Sequence, residues 1–79
     1  MDKQFITFLR KTMGLNQEEF GEQINFSKVY VGYIETGLRP VTKKFKNVII
    51  RSFNLLEEEL TFYYMMHKKL NDKQNNMKN

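Results

Sequence analysis

The sequence predicts an all-α protein of five short helices joined by turns. Its apolar residues recur three and four positions apart, which is the period of a helix face, whereas strands have a period of two. Four of the five predicted helices follow a residue whose side chain can cap a helix N-terminus; these residues are Asp2, Asn16, Ser27 and Thr42. The chain has 79 residues and no cysteine, so one small domain must be held together without disulfides.

The first helix is predicted to run from about Lys3 to Met13. Asp2 is its N-cap, and Gly14 stands just past its end, where a left-handed residue is favoured. Phe8 lies at the margin of its apolar stripe, which consists of Phe5, Ile6, Leu9 and Met13.

The second and third helices form a closely spaced pair. Asn16 and Glu19 predict a capping box at the start of the second helix. The third helix begins after Ser27 and ends at Gly37. The apolar residues of the pair and of the short turn between them are Phe20, Ile24, Phe26, Val31 and Ile34. This is the spacing of a helix-turn-helix, whose second helix can lie in a DNA major groove.

Two further helices complete the predicted domain. Thr42 caps the fourth helix, whose inward residues are Phe45, Val48, Ile49 and Phe53. After a turn at Asn54, the fifth helix is predicted over about Glu57–Leu70. We therefore expect one domain over residues 1–70 and a polar, flexible tail over residues 71–79.

Positive charge is concentrated in the middle of the chain. The formal net charge is +4, but residues 27–51 contain six Lys and Arg residues against a single acid, Glu35, which is a local charge of +5. Such a distribution favours contact with phosphates. The alternative is a solvated basic face with no partner.

The helix pair resembles that of the Cro/repressor family, whose members are lambda-repressor-like (XRE) DNA-binding domains. The family's motif opens with Gln, here Gln17, and ends its third helix with Glu and, two residues on, Gly, here Glu35 and Gly37. The resemblance covers about residues 6–60 and implies a five-helix lambda-repressor-like domain. It also implies a structural ion pair between Arg10 and Glu35.

Two positions depart from the family pattern. The family commonly has Ala inside helix two and Gly at the turn, where this chain has Gly21 and Asn25. Gly21 preserves a close helix contact because it has no side chain. Asn25 can adopt the left-handed conformation that a sharp turn requires.

The outward residues of the third helix are the candidate base readers, namely Lys28, Val29, Gly32 and Tyr33. The helix lacks Arg, Gln and Asn, the usual bidentate readers. Lys28 can donate to guanine, Val29 can pack on a thymine methyl group, and Tyr33 can donate to a base or a phosphate. Gly32 allows the backbone to approach the groove floor. The alternative is that Tyr30 and Tyr33 pack over the fourth helix and that Gly32 has no role.

Seven residues are candidate phosphate ligands because of their polar or charged side chains near helix N-termini and in the following loop. They are Asn16, Gln17, Ser27, Tyr30, Arg39, Lys43 and Lys44.

The fifth helix carries more apolar surface than one core contact requires. Leu60, Tyr63 or Tyr64, and His67 are expected to pack against the first helix. The candidate dimerisation residues are Phe8, Phe62, Tyr63, Met65 and Met66. A homodimer is the favoured partner because regulators of this type bind two half-sites of a palindrome. Capture of a different protein by this Met-rich surface is the alternative.

These features and the resemblance together predict a sequence-specific transcription regulator. It would be a small Cro-like repressor of a phage or other mobile element, binding double-stranded DNA at a palindromic operator as a dimer. The alternative is a protein-interaction module or antitoxin on the same scaffold. No nucleophile–base pair, phosphate loop or metal cluster is recognised in the sequence, so no enzymatic activity, cofactor or metal is expected. Without a membrane span or signal peptide, a cytoplasmic, nucleoid-associated bacterial protein is expected.

Overall fold

The described part of the chain, residues 1–77, contains five α-helices. They are α1 (Lys3–Thr12), α2 (Gln17–Ile24), α3 (Lys28–Thr36), α4 (Lys43–Ser52) and α5 (Glu57–Met77). The structure is a computed structural model that describes the backbone of residues 1–77 and the side chains of residues 1–72. No strand occurs among the described residues. The predicted all-α class with five helices is therefore confirmed.

Side-chain caps begin the first four helices, as predicted. Asp2, Ser27 and Thr42 each accept a hydrogen bond from the backbone N–H three residues later, at 2.8, 3.1 and 3.0 Å. Asn16 accepts from the N–H of Glu19 at 2.8 Å, and the Glu19 carboxylate accepts from the N–H of Asn16 at 2.9 Å. This reciprocal pair is a capping box, which satisfies two backbone donors at the start of α2.

Each of the first four helices is followed within two residues by a residue in the left-handed conformation, and α1 and α4 end in the same way. Gly14 follows α1 with φ 73°, and Asn54 follows α4 with φ 50°. The next N–H then reaches back to the last turn, from Leu15 to the Arg10 carbonyl at 3.2 Å and from Leu55 to the Ile50 carbonyl at 2.9 Å. These bonds satisfy carbonyls that the helix leaves free and turn the chain sharply.

The core consists of nine buried apolar side chains from the first four helices. They are Phe5, Ile6, Leu9, Phe20, Ile24, Val31, Ile34, Phe45 and Ile49. Each of them was expected from the three- and four-residue spacing. The remaining expected positions, Met13, Phe26, Val48 and Phe53, are half-buried and pack against this cluster.

One face of α5 closes the core against α1. Tyr64 stacks on Phe5 with ring centroids 4.1 Å apart, and His67 lies 5.0 Å from Phe8. The helix continues to Met77 instead of ending near Leu70, because extending an existing helix by polar residues costs little once it is nucleated. The expected flexible tail, 71–79, therefore begins inside α5, and its last two residues lie outside the described residues.

Candidate nucleic-acid interface

The α2–turn–α3 unit is the most closely packed helix pair in the molecule. Asn25 ends α2 in the left-handed conformation, with φ 64° and ψ 42°, and the N–H of Phe26 donates to the Gly21 carbonyl at 2.9 Å. A Cβ on Gly21 would collide with the Phe26 carbonyl oxygen. Gly21 and Asn25 therefore act together. The left-handed turn at Asn25 brings the Phe26 backbone against α2 at the position where Gly21 has no side chain.

Arg10 and Glu35 form the expected ion pair between α1 and α3. Arg10 Nε donates to Glu35 Oε2 at 2.7 Å and Nη2 donates to Oε1 at 3.0 Å, so the contact is bidentate. Arg10 Nη1 also donates to the Leu15 carbonyl at 2.9 Å. The side chains are only 11% and 7% exposed. This pair fixes α3 against α1 and the turn before α2.

Gln17 completes the same network from α2. Its Nε2 donates to Glu35 Oε1 at 3.3 Å. Burial by itself would raise the pKa of Glu35, but the hydrogen bonds from Arg10 and Gln17 and the Arg10 charge outweigh it and lower that pKa. The hydrogen bond to Glu35 likewise raises the pKa of Arg10. The pair is therefore ionised at neutral pH and contributes no free acid to the surface of α3.

The outward face of α3 forms a shallow hollow, which we call the α3 concavity. It is lined by Gln17, Lys28, Val29, Gly32, Tyr33, Thr36 and Leu38. The four candidate base readers are thus brought together on one surface. Val29 is 59% exposed and Tyr33 39% exposed. Tyr33 lines this hollow and is partly exposed to solvent, whereas the alternative interpretation placed it over α4.

The sequence analysis missed two lining residues, Thr36 and the large apolar residue Leu38. Leu38 is 68% exposed and lies in the loop directly after the left-handed Gly37. Helical periodicity carries no information about a loop residue. The signal that could have identified it is a large apolar side chain placed between a glycine and Arg39 in a basic segment.

Several candidate phosphate ligands are engaged within the protein. The Asn16 side chain caps α2, and the Gln17 amide donates to Glu35. Tyr30 is half-buried, stacked on Phe26 at 5.0 Å and 6.1 Å from Phe45 of α4, as the alternative interpretation expected for this residue. Ser27 accepts from the N–H of Tyr30, which leaves its hydroxyl proton to donate elsewhere. Phosphate binding by these residues stays a prediction.

The basic candidates are exposed and lie next to α3 or on α4. The N–H of Arg39 donates to the Tyr33 carbonyl at 3.1 Å, which fixes the loop to the end of α3. Lys43 and Lys44 line a second shallow hollow on α4, together with Asn47, Ile50 and Arg51. Three cations therefore share one small surface with a polar amide, an arrangement suited to a polyanion.

A second apolar surface lies on α5, where Phe62 is 61% and Met65 66% exposed. These two residues are three apart, so they are neighbours on one helix face, and we call this face the α5 ridge. The other candidate dimerisation residues, Phe8, Tyr63 and Met66, are half-buried. Phe8 and Tyr63 also pack against the core, so they contribute to the fold itself.

The described residues contain no group of three or more His, Asp or Glu placed to hold a metal ion. None of their helices has both the length and the apolar character needed to cross a bilayer. Comparison of the chain with models of protein families, with curated proteins and with solved structures finds no match.

Proposed function

We propose that this protein is a sequence-specific, DNA-binding transcription regulator with a lambda-repressor-like helix-turn-helix. In this proposal α3 lies in the major groove and α2 crosses above it. The observation that carries the proposal is the α3 concavity, where Lys28, Val29, Gly32 and Tyr33 meet on the exposed face of a helix that is rigidly fixed by its neighbours. Rigid placement matters because base reading requires side chains held in a defined register.

The charge distribution supports the same partner. Residues 27–51 have a net charge of +5, and their only acid, Glu35, is bound to Arg10. The charged side chains that this segment offers to solvent are therefore cations. Lys43 and Lys44 at the start of α4 and Arg39 in the loop are the proposed phosphate contacts, and Lys28 lies at the start of α3 itself.

The proposal includes a homodimer formed through the α5 ridge, which would bind a palindromic operator in the bacterial nucleoid as a small Cro-like repressor. Fully burying a Phe or Met side chain contributes about 1.5–3 kcal/mol. Association itself costs about 4–15 kcal/mol. The free dimer is therefore expected to be weak, and DNA would tighten it because adjacent half-sites raise the effective concentration of the second subunit.

Selection from a random duplex library by the full chain tests the function. The best fragment and a scrambled fragment of equal composition are then titrated at several salt concentrations. We expect the selected fragment to bind at least tenfold more tightly, with an affinity that falls as salt rises. Equal affinity for both fragments at physiological salt would contradict sequence-specific binding.

A protein-interaction module or antitoxin is the second candidate. Two observations favour it: Phe62 and Met65 are exposed, and α3 lacks the Arg and Asn side chains that most often read bases. Binding that depends on Phe62 and Met65 but not on Lys28 or Lys44, and that is insensitive to DNA, would favour this function over the first.

A further inference from the structure

The α3 concavity is unusually apolar for a surface proposed to bind a polyanion. Val29 and Leu38 are its two most exposed large apolar side chains, at 59% and 68%. They share it with the Tyr33 ring, and Gly32 contributes no side chain at all. A Cβ on Gly32 would meet only the Gln17 amide, at 3.7 Å and beyond, so the missing side chain leaves a depression in the surface.

Two of the four polar side chains that line this depression, Gln17 and Thr36, donate hydrogen bonds within the protein. The Gln17 Nε2 donates to Glu35, and the Thr36 hydroxyl donates to the Gly32 carbonyl at 3.0 Å. Within the described residues, the Lys28 ammonium and the Tyr33 hydroxyl make no hydrogen bond or ion pair. The concavity therefore offers apolar contact at its centre and few donors at its edge.

Thymine is the base whose major-groove edge matches this chemistry. Each base pair presents a different pattern there, and only thymine adds a methyl group, at C5. Adenine, guanine and cytosine present hydrogen-bond donors and acceptors there, and the apolar side chains of Val29 and Leu38 cannot form hydrogen bonds with them. Lys28 on the same surface and Arg39 beside it supply the positive charge that brings DNA to the concavity.

We propose that the α3 concavity recognises thymine C5-methyl groups, so that the preferred DNA carries thymines opposite Val29 and Leu38. This inference rests on the proposed DNA-binding function and specifies what that function reads. Burial of methyl groups in the depression over Gly32 provides the recognition of thymine. Lys28, at the N-terminus of α3, would in addition donate a hydrogen bond to a base that carries acceptors, such as guanine.

Replacing thymine by uracil tests the proposal, because uracil lacks only the methyl group and pairs identically with adenine. The full chain is titrated against its best selected duplex and against the same duplex with uracil at each thymine in turn. We expect about a fourfold loss of affinity for each contacted methyl group and no loss at thymines that the protein does not contact.

Val29→Ala identifies the side chain responsible. This variant should bind the thymine duplex more weakly and lose most of the difference between thymine and uracil at one position, which is the signature of a direct contact in a double-mutant cycle. Leu38→Ala should do the same at another position. Leu56→Ala is the matched control, because Leu56 is similarly exposed, at 56%, and lies outside the concavity.

Two outcomes would overturn the inference and are distinguishable. If uracil costs nothing but the selected duplex is still preferred over a scrambled one, the methyl reading is wrong and the proposed function stands. If no duplex is preferred over its scrambled counterpart, both are wrong.

Discussion

The α3 concavity and the α5 ridge are equally exposed apolar surfaces with opposite electrostatic surroundings. Val29 and Leu38 on the first are 59% and 68% exposed, and Phe62 and Met65 on the second are 61% and 66% exposed. Lys28 lines the concavity. On α5, by contrast, a hollow beside Phe62 is lined by Glu58 and Glu59.

An exposed apolar surface raises two questions, namely whether a partner covers it and what the chemistry of that partner is. Exposed apolar area indicates that a partner covers the surface. The flanking charge indicates the chemistry of that partner, since a polyanion is attracted to Lys28 and repelled by Glu58 and Glu59. We therefore propose DNA as the partner of the concavity and a second copy of the chain as the partner of the ridge.

The largest expected effect concerns the ion pair that holds the concavity in place. Glu35→Ala leaves Arg10 buried without its partner, so we expect a loss of about 3–5 kcal/mol in the free energy of unfolding. For a domain of this size, that lowers the melting temperature by at least about 12 °C. Thermal denaturation measures it, with the exposed Glu22→Ala as control. An unchanged melting temperature would mean that the pair does not stabilise the fold.

The α5 ridge is tested by introducing a charge where the second copy is proposed to pack. Phe62→Glu should abolish the dimer, because each copy loses about 1.5–3 kcal/mol of burial and gains a carboxylate in the interface. The fold should be unaffected, since Phe62 is exposed. Sedimentation of the wild type, Phe62→Glu and the control Leu56→Glu decides the matter. A wild type that stays monomeric at hundreds of micromolar, on and off DNA, would refute the dimer.

Gly21 of α2 and Gly32 of α3 should respond in opposite ways to replacement by alanine. Gly21→Ala places a Cβ against the Phe26 carbonyl and should destabilise the protein by about 1–3 kcal/mol. Gly32→Ala meets only the Gln17 amide and should stabilise α3 by up to about 1 kcal/mol. Urea denaturation compares them. If both variants lose stability, α3 tolerates a side chain at position 32 less well than the open space around Gly32 indicates.

Acid should weaken the α1–α3 connection in a defined direction. The folded pKa of Glu35 is lowered, so its contribution is complete above the unfolded value of about 4.3 and is lost as the pH falls through the lower folded pKa. The free energy of unfolding should therefore fall less steeply below pH 4 in Glu35→Gln than in the wild type. Parallel pH profiles would contradict this assignment.

The smallest effect is expected from a single phosphate contact. Lys44→Ala should weaken binding to selected and scrambled duplexes alike and reduce the salt slope by about 0.9. Lys69→Ala, an exposed lysine on α5, is the control. A loss confined to the selected duplex would instead make Lys44 a base reader.

Local rules were enough to predict the all-α class, the helix caps and the buried residues. The caps at Asp2, Asn16, Ser27 and Thr42 and all nine core residues follow from side-chain chemistry and helical spacing. Both depend on residues within four positions of one another, which a sequence displays directly.

The site was predictable only in part, because its details depend on contacts between distant residues. The Arg10–Glu35 pair was expected from family resemblance, but the commitment of the Gln17 amide to Glu35 depends on how α2 lies over α3. Leu38 joins the concavity through a loop conformation that no periodicity describes. The length of α5 was also missed, because a polar sequence shows that core contact ends and not that the helix ends.

The most direct test of the central claim is to observe which side chains touch DNA. With methyl-labelled protein bound to its unlabelled selected duplex, intermolecular nuclear Overhauser effects report protons within about 5 Å of each other. We predict such effects from the Val29 and Leu38 methyl groups to protons of the major groove, and none from Met65 on the α5 ridge. Effects from Met65 without any from Val29 or Leu38 would place DNA on the wrong surface and contradict the account.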